Sequence, residues 1–258
     1  MTTYLDGIVA RHRETAAADD RALDDLLERA RLAPPPREFV AALTAATDLA
    51  VIAEIKRRSP SKGALHLDLD AAGLARTYGR GGAVCLSVLT DEAFFGGSVD
   101  DLTAAREATE LPVLRKDFTV SAHDVVDARL MGADAVLLIA AALHVRELVE
   151  YHQLASELGL AALVEVHDEP ELEIALQAGA TLVGVNQRDL VTFQVDHDRA
   201  ERMASAIPAG VVRVAESGVR SADDAARLAD AGYDAILVGE SLVTAADPAA
   251  ALRALTRR

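Results

Sequence analysis

The chain has 258 residues, 51% of them hydrophobic and 26% charged, enough apolar material for a large core and too much for a disordered chain. A formal net charge of −15 disfavours nucleic acid or an anionic membrane as a partner, since both are bound mainly through excess positive charge. No apolar run reaches the roughly 20 residues that span a bilayer, the N-terminal stretch has no signal-peptide core, and the single cysteine, Cys85, lies in an apolar run as a buried thiol; the expectation is a cytoplasmic protein.

Residues 1 to 48 read as helical segments broken at Pro34, Pro35 and Pro36 and resuming at Phe39 and Val40, an extension expected to pack on the rest of the chain. From about residue 50, eight short apolar runs recur: VIAEIK at 51–56, AVCLSVL at 83–89, PVLRKDF at 112–118, AVLLIA at 135–140, AALVEV at 161–166, TLVGVN at 181–186, VVRVAES at 211–217 and AILVGE at 235–240. Each reads as a strand buried on both faces. Between them lie amphipathic stretches such as DLDAAGLARTYGR, AHDVVDARLM and SADDAARLADA, with apolar residues three and four apart. GGA, MGAD, LGLA, AGAT and AGYD each set a glycine before the next strand, where a left-handed helix cap needs one.

Eight such units predict a single (β/α)8 TIM barrel over 1–258, with the N-terminal helical extension as part of it. An open doubly wound sheet usually has fewer strands and a glycine-rich first turn, whereas the first turn here is SPSKG.

In a barrel, the ionisable residues that close apolar runs point to the C-terminal rim where substrates bind. The first strand ends in Glu54 and Lys56, on one side by strand alternation, followed by Ser59; the third ends in Lys116 and Asp117. The fifth carries Glu165, the sixth ends in Asn186 and Arg188, and the seventh in Glu216 and Ser217. A lone charged strand end is as often a structural ion pair as a functional group, but convergence on one rim favours function. Of 26 basic residues only Lys56, Lys62 and Lys116 are lysine, and all three follow strands one and three. Lysine can give up a proton near neutral pH where arginine cannot, and Arg115 and Arg58 are expected to help by lowering its pKa.

Three of the five phenylalanines, Phe94, Phe95 and Phe118, follow strands two and three; Phe95 and Phe118 are chosen to line a pocket for an aromatic ring. The turns Glu216-Ser217-Gly218 and Gly239-Glu240-Ser241 set glycine before a helix at strands seven and eight, so that backbone N–H groups can meet a phosphate, with the Ser59 hydroxyl added. His167 reads as a surface or supporting residue behind Glu165, and the other histidines lack metal-ligand spacing, so no metal site is expected. These residues predict an enzyme acting on a small phosphorylated molecule. They leave open a proton-transfer enzyme, a Schiff-base aldolase using Lys116, a phosphosugar isomerase or a non-catalytic scaffold.

AEIKRRSPSKG, LTDEAFFGGS, VLRKDF, ALVEVH, VGVNQRDL, AESGVR and LVGESLV, in that order, resemble the indole-3-glycerol-phosphate synthase family, and the likeness extends to the LDGIVARHRE start. The resemblance implies conversion of 1-(2-carboxyphenylamino)-1-deoxyribulose 5-phosphate to indole-3-glycerol phosphate in tryptophan biosynthesis, with loss of carbon dioxide and water and with no cofactor. It implies Lys116 as general acid at the ketone oxygen, assisted by Glu54 and Lys56, and Glu165 or Lys56 in the later dehydration, with Asn186 holding polar groups. By the same resemblance, Glu216 and Ser217 stand at the substrate, Arg188 meets the anthranilate carboxylate, and Phe95, Phe118, Leu137 and Leu190 form the ring pocket. Ser59, Gly218 and Gly239 match the phosphate site. Glu240 departs from relatives with serine there, so its backbone N–H rather than its carboxylate would serve. The chain is expected to act as a monomer or weak homo-oligomer.

Overall fold

In the computed structural model, which describes residues 4–189 and 191–256, three helices precede the first strand. They are α1 Tyr4–Ala17, α2 Leu23–Leu32 and α3 Phe39–Thr44. The prolines at 34–36 fall in the irregular link between α2 and α3, where a missing N–H and a fixed φ end a helix.

Eight parallel strands then close a barrel in which each pairs with its neighbours in sequence and the last pairs with the first. They are β1 Ala50–Ile55, β2 Cys85–Leu89, β3 Val113–Lys116, β4 Ala135–Ile139, β5 Ala161–Val166, β6 Leu182–Asn186, β7 Val212–Glu216 and β8 Ala235–Val238. Every apolar run of the sequence is one strand, with ends that differ by up to two residues. A two-stranded ribbon of Arg58–Ser59 and Gly63–Ala64 stands on the rim after β1.

Around the barrel lie α4 Ala71–Gly81, α5 Glu92–Phe95, α6 Val99–Ala108, α7 Ala122–Leu130, α8 Val145–Glu157, α9 Glu169–Gln177, α10 Arg199–Ala204, α11 Ala222–Asp230, α12 Glu240–Val243 and α13 Pro248–Thr256. The sequence pattern marks most of the longer ones and passes over α5, α10 and α12, because four to six residues are too few to show a helical period. Ser98, Ser121, Asp168 and Ser221 each accept a backbone N–H of the first turn of α6, α7, α9 and α11. The glycines expected to end helices do so with positive φ, from 75° at Gly159 to 101° at Gly82.

Strand alternation divides the core in two. Outward-facing residues such as Val51, Val88, Val136, Val164, Val185 and Ile236 pack under the helices. Inward-facing Ile52, Cys85, Leu114, Leu137, Leu163, Leu182 and Val214 fill the barrel itself. Phe39 and Leu43 of α3 join this inner cluster, 2% and 1% exposed, so α3 packs in with the barrel filling. Cys85 belongs to that filling too, its thiol directed at the Phe39 carbonyl and pushed upward in pKa by burial. The link to α3 is clamped by Asp134, 1% exposed, which accepts the Arg37 and Val113 backbone N–H groups and the Arg106 guanidinium at 2.7 to 2.9 Å. Among the described residues, no helix is long and apolar enough to cross a membrane.

Candidate active site

At the C-terminal ends of the strands the inward-facing row changes from apolar to ionic. One step above Ile52, Leu114, Leu163 and Val214 stand Glu54, Lys116, Glu165 and Glu216, around a cavity of about 360 Å³. Glu54, Lys56, Ser59, Phe95, Lys116, Phe118, Leu137, Glu165, Asn186, Arg188, Glu216, Ser217, Gly218, Gly239 and Glu240 all line it, whereas Leu190 lies outside the described residues. Lys62 is exposed and takes no part, so the lysine signal is carried by Lys56 and Lys116.

Lys116 stands at the centre. Its Nζ donates to Glu165 Oε2 at 2.8 Å and to Glu216 Oε2 at 3.0 Å, while Lys56 Nζ donates to Glu54 Oε1 at 2.5 Å. Asn186 donates to Glu165 Oε1 at 3.0 Å, and its own carbonyl oxygen accepts the Arg188 backbone N–H. Among the described residues, Glu216 Oε1 is buried with no hydrogen-bond partner, as is Ser59 Oγ on the rim.

Three buried carboxylates thus face two ammonium groups, one negative charge in excess. Burial alone would depress the Lys116 ammonium, but Glu165, Glu216 and Glu54 outweigh it and hold its pKa above the ordinary lysine value. Burial alone would raise Glu165, but Lys116, His167 and the Asn186 hydrogen bond hold it down to about 2. At Glu216 burial wins: helped by Glu165 and Glu54 and opposed by Lys116, it pushes the carboxyl up to about 7. Glu216 therefore carries the cluster's extra proton near neutral pH.

The expectation that Arg115 and Arg58 lower the lysine pKa is overturned. Arg115 is next to Lys116 in sequence and so faces the other side of β3, donating to Thr90, to Asp117 Oδ2 at 3.0 Å and to the Asp124 carbonyl. Arg58 is exposed on the rim with its side chain along Gly96. Carboxylates, not cations, surround Lys116. The strand alternation that pairs Glu54 with Lys56 already carried this signal for Arg115.

His167 is a supporting residue. Its Nε2 lies 3.5 Å from Glu165 Oε1, and its Nδ1 and backbone N–H contact Glu171. Burial lowers its pKa, but the Glu171 hydrogen bond and the charges of Glu165 and Glu171 raise it further.

The aromatic side of the pocket holds Phe95 and Phe118, their ring centroids 6.2 Å apart, with Leu137 below them. Phe94 turns away to meet Tyr4 edge-on. The wall is completed by residues the sequence reading missed: Tyr4, Leu5 and Ile8 of α1, and Phe193, which packs on Tyr4. The fold also gathers a scattered histidine into a clasp. His12 of α1 meets Asp91 Oδ2 at 3.0 Å and lies 3.8 Å from Asp117 Oδ1, its ring 5.3 Å from that of Phe118. Asp91 also accepts the Phe94 and Phe95 N–H groups, so one residue of α1 steadies both pocket phenylalanines.

Opposite the aromatic wall, Ser59, Gly218, Gly239 and Glu240 line the rim with Arg220, an exposed cation that the sequence reading also missed. Ser217 holds a φ of 66°, a left-handed conformation uncommon for a residue with a side chain, and its carbonyl accepts the Gln187 amide.

Comparison with known proteins places this arrangement. The family model described as indole-3-glycerol phosphate synthase matches residues 5–255. The chain is 50% identical over 252 residues to an indole-3-glycerol phosphate synthase of Mycolicibacterium vanbaalenii, covering 97% of this chain and 92% of that one. It is 50% identical over 258 residues to indole-3-glycerol phosphate synthase 2 of Streptomyces coelicolor, covering 99% of both. Among solved structures, 3-hexulose-6-phosphate synthase of Salmonella typhimurium shares the fold, with a TM-score of 0.65 at 18% identity over 80% of this chain and 96% of that one. Identity at this length, on a barrel whose rim gathers these residues, decides the matter: the chain belongs to the indole-3-glycerol phosphate synthase family.

Proposed function

We propose that this cavity closes the five-membered ring of 1-(2-carboxyphenylamino)-1-deoxyribulose 5-phosphate, with Lys116 as the general acid. The ring carbon that bears the carboxylate attacks the ketone carbon, and the ketone oxygen takes a proton from Lys116 Nζ. Loss of carbon dioxide restores the aromatic ring. The new hydroxyl then leaves as water together with a proton from the adjacent methylene.

The observation that carries this reading is the position of Lys116 Nζ, held by Glu165 and Glu216 between an aromatic wall and a rim of glycine turns. A Schiff-base enzyme needs a neutral lysine, and carboxylates on several sides keep this one charged. Glu165 is ionised throughout the neutral range and so can take the methylene proton, its basicity rising once the Lys116 ammonium that holds its pKa down has given up its own proton. Lys56 is then placed to protonate the departing hydroxyl, with Glu54 orienting it. Phe95, Phe118 and Leu137 take the aromatic ring. Arg188 takes the carboxylate before it is lost. Ser59, Gly218, Gly239 and the Glu240 backbone take the phosphate, with Arg220 adding charge from the mouth. No cofactor is assigned, since ring closure, loss of carbon dioxide and loss of water balance without an external oxidant or reductant.

The reading treats residues 1–258 as one domain, supported by α1 lining the cavity and α3 packing into the barrel filling. It also keeps the chain in the cytoplasm as a monomer or weak homo-oligomer. Purified protein given the carboxyphenylamino substrate is expected to produce the fluorescence of indole-3-glycerol phosphate. Lys116→Ala should lower kcat by about a thousandfold with the protein still folded. Folded wild-type protein that yields no product overturns the assignment.

A further inference from the structure

Glu216 is held in an unusual way. Its Oε2 meets Lys116, but its Oε1 reaches across the barrel wall to β6 and lies where a side chain at Gly184 would be. A Cβ built on Gly184 falls 2.1 Å from Glu216 Oε1, closer than real Cβ contacts come, and 3.2 Å from its Cδ.

Leu163 Cδ1 of the barrel filling also comes within 3.2 Å of that position, but the carboxylate oxygen is the nearest atom by about 1 Å. Gly184 is in the middle of β6 between Val183 and Val185, and its φ is outside the left-handed region, so any residue could take its backbone conformation. A glycine inside a strand weakens it, and one reason to keep it is the close approach of another group. The device recurs two strands further round the barrel. Gly239 follows β8 with φ −123°, and a Cβ there falls 2.3 Å from Glu54 Oε1. In both cases the glycine lies on or just after the strand that precedes the carboxylate's own around the barrel.

We propose that Gly184 is a positioning residue whose missing side chain forms the cradle that keeps the Glu216 carboxylate against Lys116. The inference rests on the proposed catalytic function for its kinetic consequence, but the cradle itself is a packing relation that stability also reports. A methyl group at 184 forces the Glu216 carboxylate to turn. Lys116 then loses one of its two acceptors, and the cluster loses the geometry in which three carboxylates share two ammonium groups.

The test is a double-mutant cycle of Gly184→Ala and Glu216→Ala, read in kcat, KM, the pH dependence of kcat and thermal midpoint. Gly184→Ala alone should lower kcat by about a hundredfold with KM changed less than about threefold, and should displace the pH limb due to Glu216. It should also lower the thermal midpoint by about 5 °C. In the Glu216→Ala background the same substitution should change kcat by less than about twofold and the midpoint by less than about 2 °C, because the clashing carboxylate is gone and only the 3.2 Å approach to Leu163 Cδ1 remains. If Gly184→Ala fails to fold while the double variant folds, the cradle is supported by that difference. The inference is overturned if Gly184→Ala turns over like wild type, if its losses are the same with and without the Glu216 carboxylate, or if neither variant folds. A wild-type protein that is inactive would sink the catalytic reading alone, since the thermal cycle still reports on the cradle.

Discussion

At the residue scale the site is governed by a charge count. Glu54, Glu165 and Glu216 face Lys56 and Lys116, and burial places the surplus proton on Glu216 at about 7. Below that pH Glu216 is neutral, Lys116 feels one anion fewer, and its proton is easier to give. Above it the carboxylate ionises and Lys116 binds its proton more tightly. We therefore expect kcat to fall as pH rises through about 7, and Glu216→Gln, neutral at every pH, to flatten that limb. A pH profile from about 5.5 to about 9 on both proteins checks this; an unchanged limb in the variant would assign it to another group. The lysines themselves were legible, because three lysines among 26 basic residues make their positions informative. The direction of the Lys116 shift was not, because it depends on which side chains from strands far apart in sequence end at the same point.

At the element scale, the N-terminal helix becomes part of the pocket. Tyr4, Leu5 and Ile8 reach the cavity, and His12 anchors α1 to the loop after β2 and the end of β3. Burial pulls the His12 pKa down, but the Asp91 hydrogen bond and the charges of Asp117, Asp91 and Asp124 raise it above 6.5, with Arg115 already on Asp117. A raised histidine contributes fully below its unfolded value and is lost as pH rises through its folded value. The clasp should therefore loosen as pH rises beyond the ordinary histidine value of 6.5. His12→Ala is expected to raise KM by about fivefold at about pH 6 and to change it little at high pH, with kcat less affected. Equal effects across the pH range would mean that the ring's packing on Phe118, and not its charge, holds α1. The segment was legible as helix, but its place over the cavity was not, since amphipathicity shows that a face is buried and not against what.

At the scale of the whole molecule, the extension and the barrel share one interior. Phe39 packs with Ile52, Cys85, Leu114 and Leu182 inside the barrel, and Asp134 ties the link before α3 to Val113 and Arg106. Phe39→Ala should cost about 3 to 5 kcal/mol, because the closed strands around it cannot collapse into the space it leaves. Denaturant titration checks it, and a loss below about 1 kcal/mol would show that α3 packs only loosely.

By itself the sequence determined the eight strands, the helix-ending glycines and the chemical character of the rim. These follow from local rules: two-sided burial of short apolar runs, positive φ at caps, and ionisable residues where an apolar run stops. Only the tertiary structure decided how those residues act on one another. It turned Arg115 out of the site, placed carboxylates around Lys116, brought α1 over the cavity and set Gly184 beneath Glu216. The physical reason is that pKa, clearance and contact are properties of groups a few ångströms apart, and closing the barrel brings together strand ends as far apart in sequence as Glu54 and Gly239, 185 positions.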